Sequence, residues 1–448
     1  MAELTFIGAA DTVTGSKHLL TRNGRHMLID CGLFQGTAEV TALNSVPLPV
    51  APKDIESVVI THGHIDHVGY LPKLVHDGFR GTIFATPPTR ALMSIVLEDA
   101  LNLQSHLQKR GLHHEQYIPP AYYNEADVQR VLQLTQTAAL ATPFDVCGMK
   151  AQFQNAAHII GSSFVQLDMG DRRVVFSGDV GRYNRTLLYD PTAMGPADVL
   201  VCEATYGDRV HPPDALGALE ATLLQAGERG GPIIIPAFAV ERTQEILFSL
   251  GSLQASNSQI AALPVYLDSP MAEKVDDLFQ QFPDAHKPLP PNNGKTFGAA
   301  ATVVVTTDDS KRLNTLPGAH IIISSSGMAA GGRVLHHIYH HVSDPKATIL
   351  FVGYQGAGTL GSVLTSGAKT VRILGDILPV NATVGNITGY SAHADRDEIQ
   401  RWLQTCTGKP HFYAVHGEPV AAQFLCDTVR SKYQWVADVA HRGVTVTI

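Results

Sequence analysis

A run of metal-binding residue types follows an apolar stretch early in the chain. Residues 57–61 form a predicted strand, and His62, His64, Asp66 and His67 come directly after it in the pattern H-x-H-x-D-H. Four imidazole or carboxylate donors within six residues are more than packing requires, and burying them without partners would be costly. Both groups are ligands that zinc prefers. The run therefore predicts a metal site, with a surface histidine cluster as the alternative.

Further donors stand in loop-like positions later in the chain. They are His158, Asp179 and His416, the last of which follows an apolar strand. Each alone has an ordinary alternative, as a capping aspartate or a hydrogen-bonded core histidine. Together they would add a second set of histidines and a carboxylate able to bridge, and hydrolytic metal pairs lie about 3.5–4 Å apart. We therefore expect them to join the early run in one centre.

Short strands separated by glycine-rich turns fill the first two hundred residues, and two helices, 71–77 and about 88–109, interrupt them. This mixture predicts a layered α/β fold. From about residue 206, longer helices alternate with buried apolar strands, which predicts βαβ units and a parallel sheet in a separate domain. The predicted strands of the first part are 4–8, 26–30, 57–61, 82–85, 164–167, 173–177 and 199–203.

Composition excludes several classes of protein. The 448 residues are 44% hydrophobic and 17% charged, as in a folded chain of two or three domains. No apolar run reaches the ~18–20 residues of a membrane helix, and no secretion signal is visible. The five cysteines have no C-x-x-C spacing, which favours the reducing cytoplasm. At a net charge of −8, any binding of nucleic acid would need a local basic groove.

Motifs spread over nearly the whole chain resemble those of a known family. H-x-H-x-D-H with later His, Asp and His is similar to the metallo-β-lactamase superfamily. The runs CEATYG (202–207), GYSAHAD (389–395) and VHGE (415–418) resemble motifs A, B and C of the β-CASP nucleases. The chain is most similar to the bacterial ribonucleases that are homologues of the nuclease subunit of the cleavage and polyadenylation specificity factor.

The resemblance implies a discontinuous architecture. An αββα metallo-β-lactamase sandwich would be formed by residues 1–207 and 385–448, and residues 208–384 would form an inserted β-CASP domain of the α/β class with a parallel sheet. The inserted domain would act as a lid over the active site.

The resemblance also implies two zinc ions per chain. The implied ligands are His62, His64 and His158 for the first ion, Asp66, His67 and His416 for the second, and Asp179 as the bridge. Asp30 would orient a ligating imidazole from outside the ligand set.

Three residues would carry the catalysis in this family, namely Asp66, Glu203 and His393. Water between the metals would be ionised to a bridging hydroxide near neutral pH and would attack the phosphodiester. His393, whose pKa the neighbouring Glu203 would raise, would be the general acid. The alternative is that Glu203 caps a turn and His393 packs beneath the domain junction.

Residues 324–333 contain small side chains and glycines, which let backbone N–H groups approach an anion. Ser325, Ser326, Gly327 and Arg333 would then form a phosphate cradle, with a tight strand-to-helix turn as the alternative. Arg242 is a second candidate for a phosphate contact, and a salt bridge to Glu245 or Asp268 is its competing role.

Two histidine-rich segments leave their roles open. His336, His337, His340 and His341 lie on a predicted helix, where they could bind a surface metal or be partly packed and partly solvated. The segment 109–123 mixes histidines with tyrosines and could stack on bases, although packing is the favoured interpretation.

We therefore expect a cytoplasmic, zinc-dependent ribonuclease that cleaves single-stranded RNA mainly endonucleolytically. A lid over a two-metal cleft favours a flexible strand over a duplex, and histidine at position 416 favours RNA over DNA in this family. The RNA would bind between the domains or with the help of oligomerisation, as in a homodimer. The alternatives are a DNA nuclease of the same family, a small-molecule metallo-hydrolase and a catalytically silent RNA-binding scaffold.

Overall fold

The computed structural model describes residues 2–109, 123–291, 294–356 and 358–448. Most of the segment 109–123, for which base stacking was considered, lies outside these residues. The chain divides into two compact units. The first comprises Met1–Val210, Asp284–His286 and His393–Ile448, and the second comprises His211–Pro283 and Lys287–Ala392.

The described residues form 24 strands and 14 α-helices. The strands are β1 (Ala2–Gly8), β2 (Lys17–Arg22), β3 (Arg25–Ile29), β4 (Ile55–Val59), β5 (Thr82–Ala85), β6 (Thr135–Thr137), β7 (Phe144–Val146), β8 (Met149–Asn155), β9 (Ser163–Asp168), β10 (Arg173–Phe176), β11 (Gly195–Pro196), β12 (Val199–Glu203), β13 (Pro232–Pro236), β14 (Val265–Asp268), β15 (Ala301–Val303), β16 (His320–Ser324), β17 (Thr348–Phe351), β18 (Thr370–Ile373), β19 (Asp376–Pro379), β20 (Thr383–Asn386), β21 (Cys406–Thr407), β22 (His411–Val415), β23 (Ala437–Val439) and β24 (Thr445–Thr447). The helices are α1 (Ala38–Ala42), α2 (Ile65–Val68), α3 (Leu71–His76), α4 (Pro87–Lys109), α5 (Glu125–Leu134), α6 (Ala215–Arg229), α7 (Arg242–Ser256), α8 (Ser258–Ala261), α9 (Pro270–Gln281), α10 (Thr307–Leu313), α11 (Arg333–His341), α12 (Leu360–Thr365), α13 (Arg396–Leu403) and α14 (Pro419–Tyr433), with short 3-10 turns at Leu43–Ser45, Pro52–Asp54, Pro283–Ala285 and Thr388–Tyr390.

Two mixed seven-stranded sheets build the first unit. One has the order β24-β1-β2-β3-β4-β5-β6, antiparallel from β24 to β3 and parallel from β3 to β6. The other has the order β23-β22-β12-β10-β9-β8-β7, parallel from β23 to β10 and antiparallel from there to β7. Each sheet thus has a parallel half, and the ends of parallel strands are where loops carry functional side chains.

Apolar side chains from the two sheets pack against each other in one core. Phe6 and Ile29 from the first sheet join Phe153, Phe176 and Val201 from the second, and all five are buried. Burial of apolar area is the main force that holds such layers together.

A second core lies on the other face of the second sheet. Trp402 of α13 and Leu425 of α14 pack there against Phe412. On the first sheet, α5 packs beside β5 and α4 beside β6, and α3 packs on α5. Helices therefore cover both sheets, and the predicted αββα sandwich is confirmed.

The second unit contains a six-stranded sheet in the order β15-β14-β16-β13-β17-β20, and every pairing in it is parallel. Ile234 and Ile349 of this sheet pack with Val334 and Ile338 of α11 and with Leu364 of α12. The predicted parallel-sheet α/β domain is thus confirmed as a fold. The predicted boundaries, 207/208 and 384/385, lie near the unit boundaries at Val210 and Ala392.

A helix that crosses a membrane must be long and apolar. Among the helices of the described residues, none is both long enough and apolar enough to do so.

Candidate metal centre

The H-x-H-x-D-H run begins where the chain leaves the first sheet. Strand β4 ends at Val59, two residues earlier than predicted. The Thr61 backbone N–H then donates to Asp30 Oδ1 at 2.8 Å instead of continuing a sheet ladder. His64 caps the short helix α2, because its carbonyl accepts from the N–H groups of His67 and Val68. The strand, the turn and the first helical turn together bring the four donors of the run to one place.

Gly32 fixes the position of this helix. The Ser16 N–H donates to the Asp66 carbonyl and the Cys31 N–H to the His67 carbonyl, so the segment around Gly32 lies directly against the helix backbone. A β-carbon at Gly32 would stand 1.6 Å from the Asp66 carbonyl oxygen. Only glycine allows this approach.

We therefore expect Gly32→Ala to displace Asp66 and His67. The nuclease activity that the resemblance implies should fall by at least about 100-fold, since outer contacts of metal ligands alone cost about 10–100-fold. Activity and bound zinc would be measured on the folded fraction. Gly227→Ala is the matched control, because the added carbon would meet Leu263 at an ordinary 3.7 Å. Normal zinc content and activity in Gly32→Ala would contradict the prediction.

Four side chains meet in a first donor set. His64 Nδ1 lies 3.1 Å from His62 Nε2 and 3.2 Å from His158 Nε2. Asp179 Oδ2 lies 3.3 Å from His62 Nε2 and 3.4 Å from His158 Nε2. The four atoms thus surround one point.

A second set lies on the other side of Asp179. His416 Nε2 is 3.2 Å from His67 Nε2 and 3.3 Å from Asp66 Oδ2, and Asp179 Oδ1 is 3.4 Å from His67 Nε2. The two oxygens of a single carboxylate therefore face different sets of donors. All seven residues that were predicted as ligands are brought together in the first unit.

The spacing of the donor atoms fits a transition metal. Atoms about 2.0–2.1 Å from a tetrahedral zinc ion lie about 3.3–3.4 Å from one another, and the two sets show separations of 3.1–3.4 Å. Asp179 Oδ1 is buried and forms no hydrogen bond within the described part of the chain. Such an oxygen needs a cation or a donor. Neutral imidazoles and carboxylates are also the donor types that zinc takes.

The two sets differ in charge. In the first, burial lowers the pKa of His64 to about 3 and lowers the pKa values of His62 and His158 as well, so these rings are neutral and can bind metal. In the second, burial opposes protonation, but the charge of Asp179 raises the pKa of His416 to about 9 and that of His67 well above its usual range. The carboxylates around the second set thus stabilise positive charge there, as a proton or a metal ion would supply it.

Asp30 lies behind the second set. Its Oδ2 is 2.7 Å from His67 Nδ1, and its carboxylate also accepts from the Thr61 hydroxyl at 2.9 Å. The ring nitrogen that faces Asp30 carries a proton, which leaves Nε2 as the nitrogen of His67 that could bind a metal at the centre. A carboxylate that fixes an imidazole in this way is common at metal sites.

Thr205 holds His416 in a similar way, and sequence reasoning missed it. Its hydroxyl donates to the His416 carbonyl at 2.9 Å and accepts from His416 Nδ1 at 3.1 Å. The signal was available in the CEATYG run, two residues after Glu203, but a threonine has too many ordinary roles to stand out there.

Glu203 and His393, which are 190 residues apart, contact each other directly. His393 Nδ1 lies 3.0 Å from Glu203 Oε2 and 3.9 Å from Asp179 Oδ2. Glu203 Oε1 also accepts the Val180 N–H at 2.6 Å, which fixes the carboxylate. Burial works against a charged imidazole, but the charges of Glu203 and then Asp179 raise the pKa of His393 above its usual value. With 20% of its side chain exposed, His393 stands at the edge of the two donor sets.

The predicted phosphate contacts lie in the second unit. Arg242 is 6% exposed and donates to the Val352 carbonyl at 2.7 Å. Arg333 donates to Asp268 Oδ1 at 2.6 Å and to the Val305 carbonyl at 2.9 Å. Both guanidinium groups are thus engaged by the protein in this structure, and their role toward phosphate stays a prediction.

The small residues of the predicted cradle form a tight turn. The Ser325 and Ser269 hydroxyls are 2.8 Å apart, and the Ser326 hydroxyl accepts the Ala330 N–H at 2.9 Å. A β-carbon on Gly327 would come within 2.9 Å of the Phe238 backbone nitrogen. Their binding of phosphate also stays a prediction.

The histidine-rich helix is confirmed as α11. His337 is fully buried and lies between Asp268 Oδ2 and Asn314 Oδ1, at 2.7 Å from each. Within the described residues, the donor groups close enough to hold a metal do not include this helix.

A sandwich of two mixed sheets with a histidine- and aspartate-rich centre at its loops defines a metallo-hydrolase of the metallo-β-lactamase type. Family models match three parts of the chain. The models are described as Anti-Pycsar protein Apyc1 (residues 2–211), Beta-Casp domain (residues 243–364) and Zn-dependent metallo-hydrolase RNA specificity domain (residues 377–440).

Relatives and a solved structure agree with these matches. The chain is 39% identical to Ribonuclease TTHA0252 of Thermus thermophilus over 92% of both chains. It is 30% identical to Transcription termination factor FttA of Methanosarcina mazei, over 96% of this chain and 69% of that protein, and 30% identical to an RNase J-like protein of Methanocaldococcus jannaschii, over 96% and 95%. A crystal structure of a protein of unknown function from Enterococcus faecalis V583 shares the fold, with a TM-score of 0.53 and 12% identity over the full length of both chains. The chain therefore belongs to the β-CASP ribonuclease family of the metallo-β-lactamase superfamily, and its donor sets form a metal-binding centre.

Proposed function

We propose that this protein is a zinc-dependent ribonuclease that hydrolyses phosphodiester bonds of single-stranded RNA, mainly endonucleolytically. The observation that carries the proposal is the position of Asp179, whose two carboxylate oxygens face two separate sets of donors at 3.3–3.4 Å. The names of the relatives, a ribonuclease and an RNase J-like protein, support RNA as the substrate.

The centre would hold two zinc ions per chain. The proposed ligands are His62, His64 and His158 on one side, Asp66, His67 and His416 on the other, and Asp179 between them. When bound, a zinc pair supplies a water molecule that is acidic enough to act as a nucleophile near neutral pH and a positive charge for the phosphate oxygens.

The protein's own residues prepare this centre. Asp30 and Thr205 bind the Nδ1 atoms of His67 and His416, so that the Nε2 atoms of both rings point inward and would bind the metal. Asp66, beside His416 Nε2, would keep the nucleophilic water oriented as well as bind metal. These contacts hold the groups in place before substrate arrives, so no free energy is spent on reorganising them during the reaction.

His393 would supply the proton for the leaving oxygen. Its Nδ1 donates to Glu203, so a second proton on Nε2 is the one available for transfer. Glu203 stabilises the protonated ring, and a general acid is most effective when its pKa lies near the working pH.

The remaining assignments are proposals of the same kind. Ser325, Ser326, Gly327, Arg333 and Arg242 would bind the RNA backbone from the β-CASP domain, which would span 208–384 between the parts 1–207 and 385–448 of the metallo-β-lactamase domain. A cytoplasmic location and a homodimer complete the proposal.

A direct substrate comparison tests the proposal. Purified, zinc-loaded protein would be given end-labelled single-stranded RNA, the same sequence as single-stranded DNA, a lactam and a thioester. We expect RNA to be cut at least about tenfold faster than DNA, with products from internal positions and no turnover of the small molecules.

Each of the other outcomes would support one of the alternative functions instead. Faster cleavage of DNA would make the protein a DNA nuclease of the same family, and turnover of the lactam or thioester would make it a small-molecule hydrolase. Binding of RNA without cleavage by the zinc-loaded protein would leave only a scaffold.

A further inference from the structure

His18 is a buried histidine close to the metal centre that the mechanism above does not use. It lies on β2, where it pairs with Phe6 of β1 and Ile29 of β3, and it is 4% exposed. Its ring packs edge to face with Phe6, with the ring centroids 5.9 Å apart. It also stacks on Phe176 of the opposite sheet, with the ring centroids 6.2 Å apart. The imidazole therefore spans the space between the two sheets.

One ring nitrogen of His18, Nδ1, is buried without a hydrogen-bond partner among the described residues. Burial lowers the pKa of His18 to about 4, so the ring is neutral and has one donor and one acceptor nitrogen. Buried nitrogens of this kind normally have a protein or water partner.

A small cavity lies beside the ring and behind the second donor set. Its volume is about 10 Å3, and its polar lining residues are His18, Ser16, Asp30, His67, Ser177, Asp179 and His416. A space of this size holds about one water molecule, provided that two or more polar groups surround it. The lining supplies an imidazole, a hydroxyl and a carboxylate.

The polar groups of the cavity are incompletely paired with each other. The Ser16 hydroxyl donates to Asp30 Oδ2 over a long 3.4 Å, whereas the same oxygen receives His67 Nδ1 at 2.7 Å. Asp30 already accepts from the Thr61 backbone and hydroxyl and from His67. A water molecule would therefore complete the bonding of the Ser16 hydroxyl and of His18.

We propose, resting on the proposed function, that this cavity is a single-water site and that His18 is a positioning residue for the second metal. One water would link His18 Nδ1 to Ser16 and Asp30. The link would add one contact to the Asp30 carboxylate, which already binds His67 Nδ1. His18 would thus act on a proposed zinc ligand without touching zinc or substrate.

The competing explanation is packing alone. A ring is required between Phe6 and Phe176, and phenylalanine would fill that place as well as histidine. Asparagine, in contrast, would lose the stacking but keep a polar group that can bind the water.

The experiment compares His18→Phe, His18→Asn and the wild type, with His26→Phe on the neighbouring strand β3 as the matched control. The affinity for the second zinc equivalent is measured by competition with a chelator. We expect His18→Phe to weaken it about tenfold, at the low end of outer-partner effects, and His18→Asn and His26→Phe to stay within about threefold. Wild-type affinity in His18→Phe would overturn the proposal.

A high-resolution crystal structure of the wild type gives a readout that needs neither zinc nor RNA. We expect electron density for one water within hydrogen-bonding distance of both His18 Nδ1 and an oxygen of Ser16 or Asp30. A dry cavity would overturn the proposal even if His18→Phe did not fold. If the wild type contains the water and binds zinc but does not cleave RNA, the proposed function fails and the water site stands.

Discussion

Replacing Asp179 with alanine is expected to abolish RNA cleavage and to remove bound metal. The carboxylate faces His62 and His158 through one oxygen and His67 through the other, so its loss removes a ligand from both sets. Substituting an outer partner of a metal ligand costs about 10–100-fold. Loss of a carboxylate shared by two sets should therefore lower the cleavage rate by at least about 1,000-fold.

The measurement combines zinc per chain, by elemental analysis, with the cleavage rate of labelled RNA. Asp171→Ala is the matched control, because Asp171 is a surface residue, 67% exposed, that pairs only weakly with Arg22 at 3.0 Å. It should behave as the wild type does. An Asp179→Ala protein that keeps two zinc ions and full activity would remove this residue from the centre.

Replacing His393 with alanine is expected to slow cleavage by about 100- to 10,000-fold, the usual contribution of a general acid, while the zinc content stays unchanged. The reason is geometric. His393 contacts Glu203 at 3.0 Å and lies 3.9 Å from Asp179, beside the donor sets. Single-turnover rates with saturating protein separate the chemical step from RNA binding.

The variant Glu203→Gln refines this prediction. It should slow the reaction less than His393→Ala, because the ring would keep a hydrogen-bond partner and lose only the charge that favours its protonated form. His411→Ala, at a surface histidine paired with Asp438 at 2.7 Å, is the matched control and should have no effect. A collapse of zinc content in His393→Ala would instead make His393 a ligand.

Local sequence patterns predicted most of the elements but could not predict how they converge. The strand 199–203 and the helix starting near residue 88 follow directly from apolar runs and a proline. The contact between His158 and His64, 94 residues apart, depends on how the two sheets stack, and hydrophobic periodicity does not encode this. The loop positions of His158 and His416 predicted one centre, but only the resemblance to the family divided the histidines between two sets.

The residues that were missed share one physical reason. Thr205 and His18 act through single hydrogen bonds or through packing across the sandwich, and neither changes the local hydrophobic pattern. The same reason explains the end of β4, where the Thr61 N–H turns from the sheet to Asp30. A tertiary hydrogen bond thus ends β4 at Val59, whereas the apolar pattern predicts its end two residues later.

The contact between Asp66 and His416 joins residues that are 350 positions apart. Ribosomes add about 5–20 residues each second, so roughly 20–70 s pass between the synthesis of the first of these residues and that of the second. Throughout that interval the nascent polypeptide lacks His416, which contacts Asp66 in the second donor set. The second donor set can therefore form only after His416 has left the ribosome.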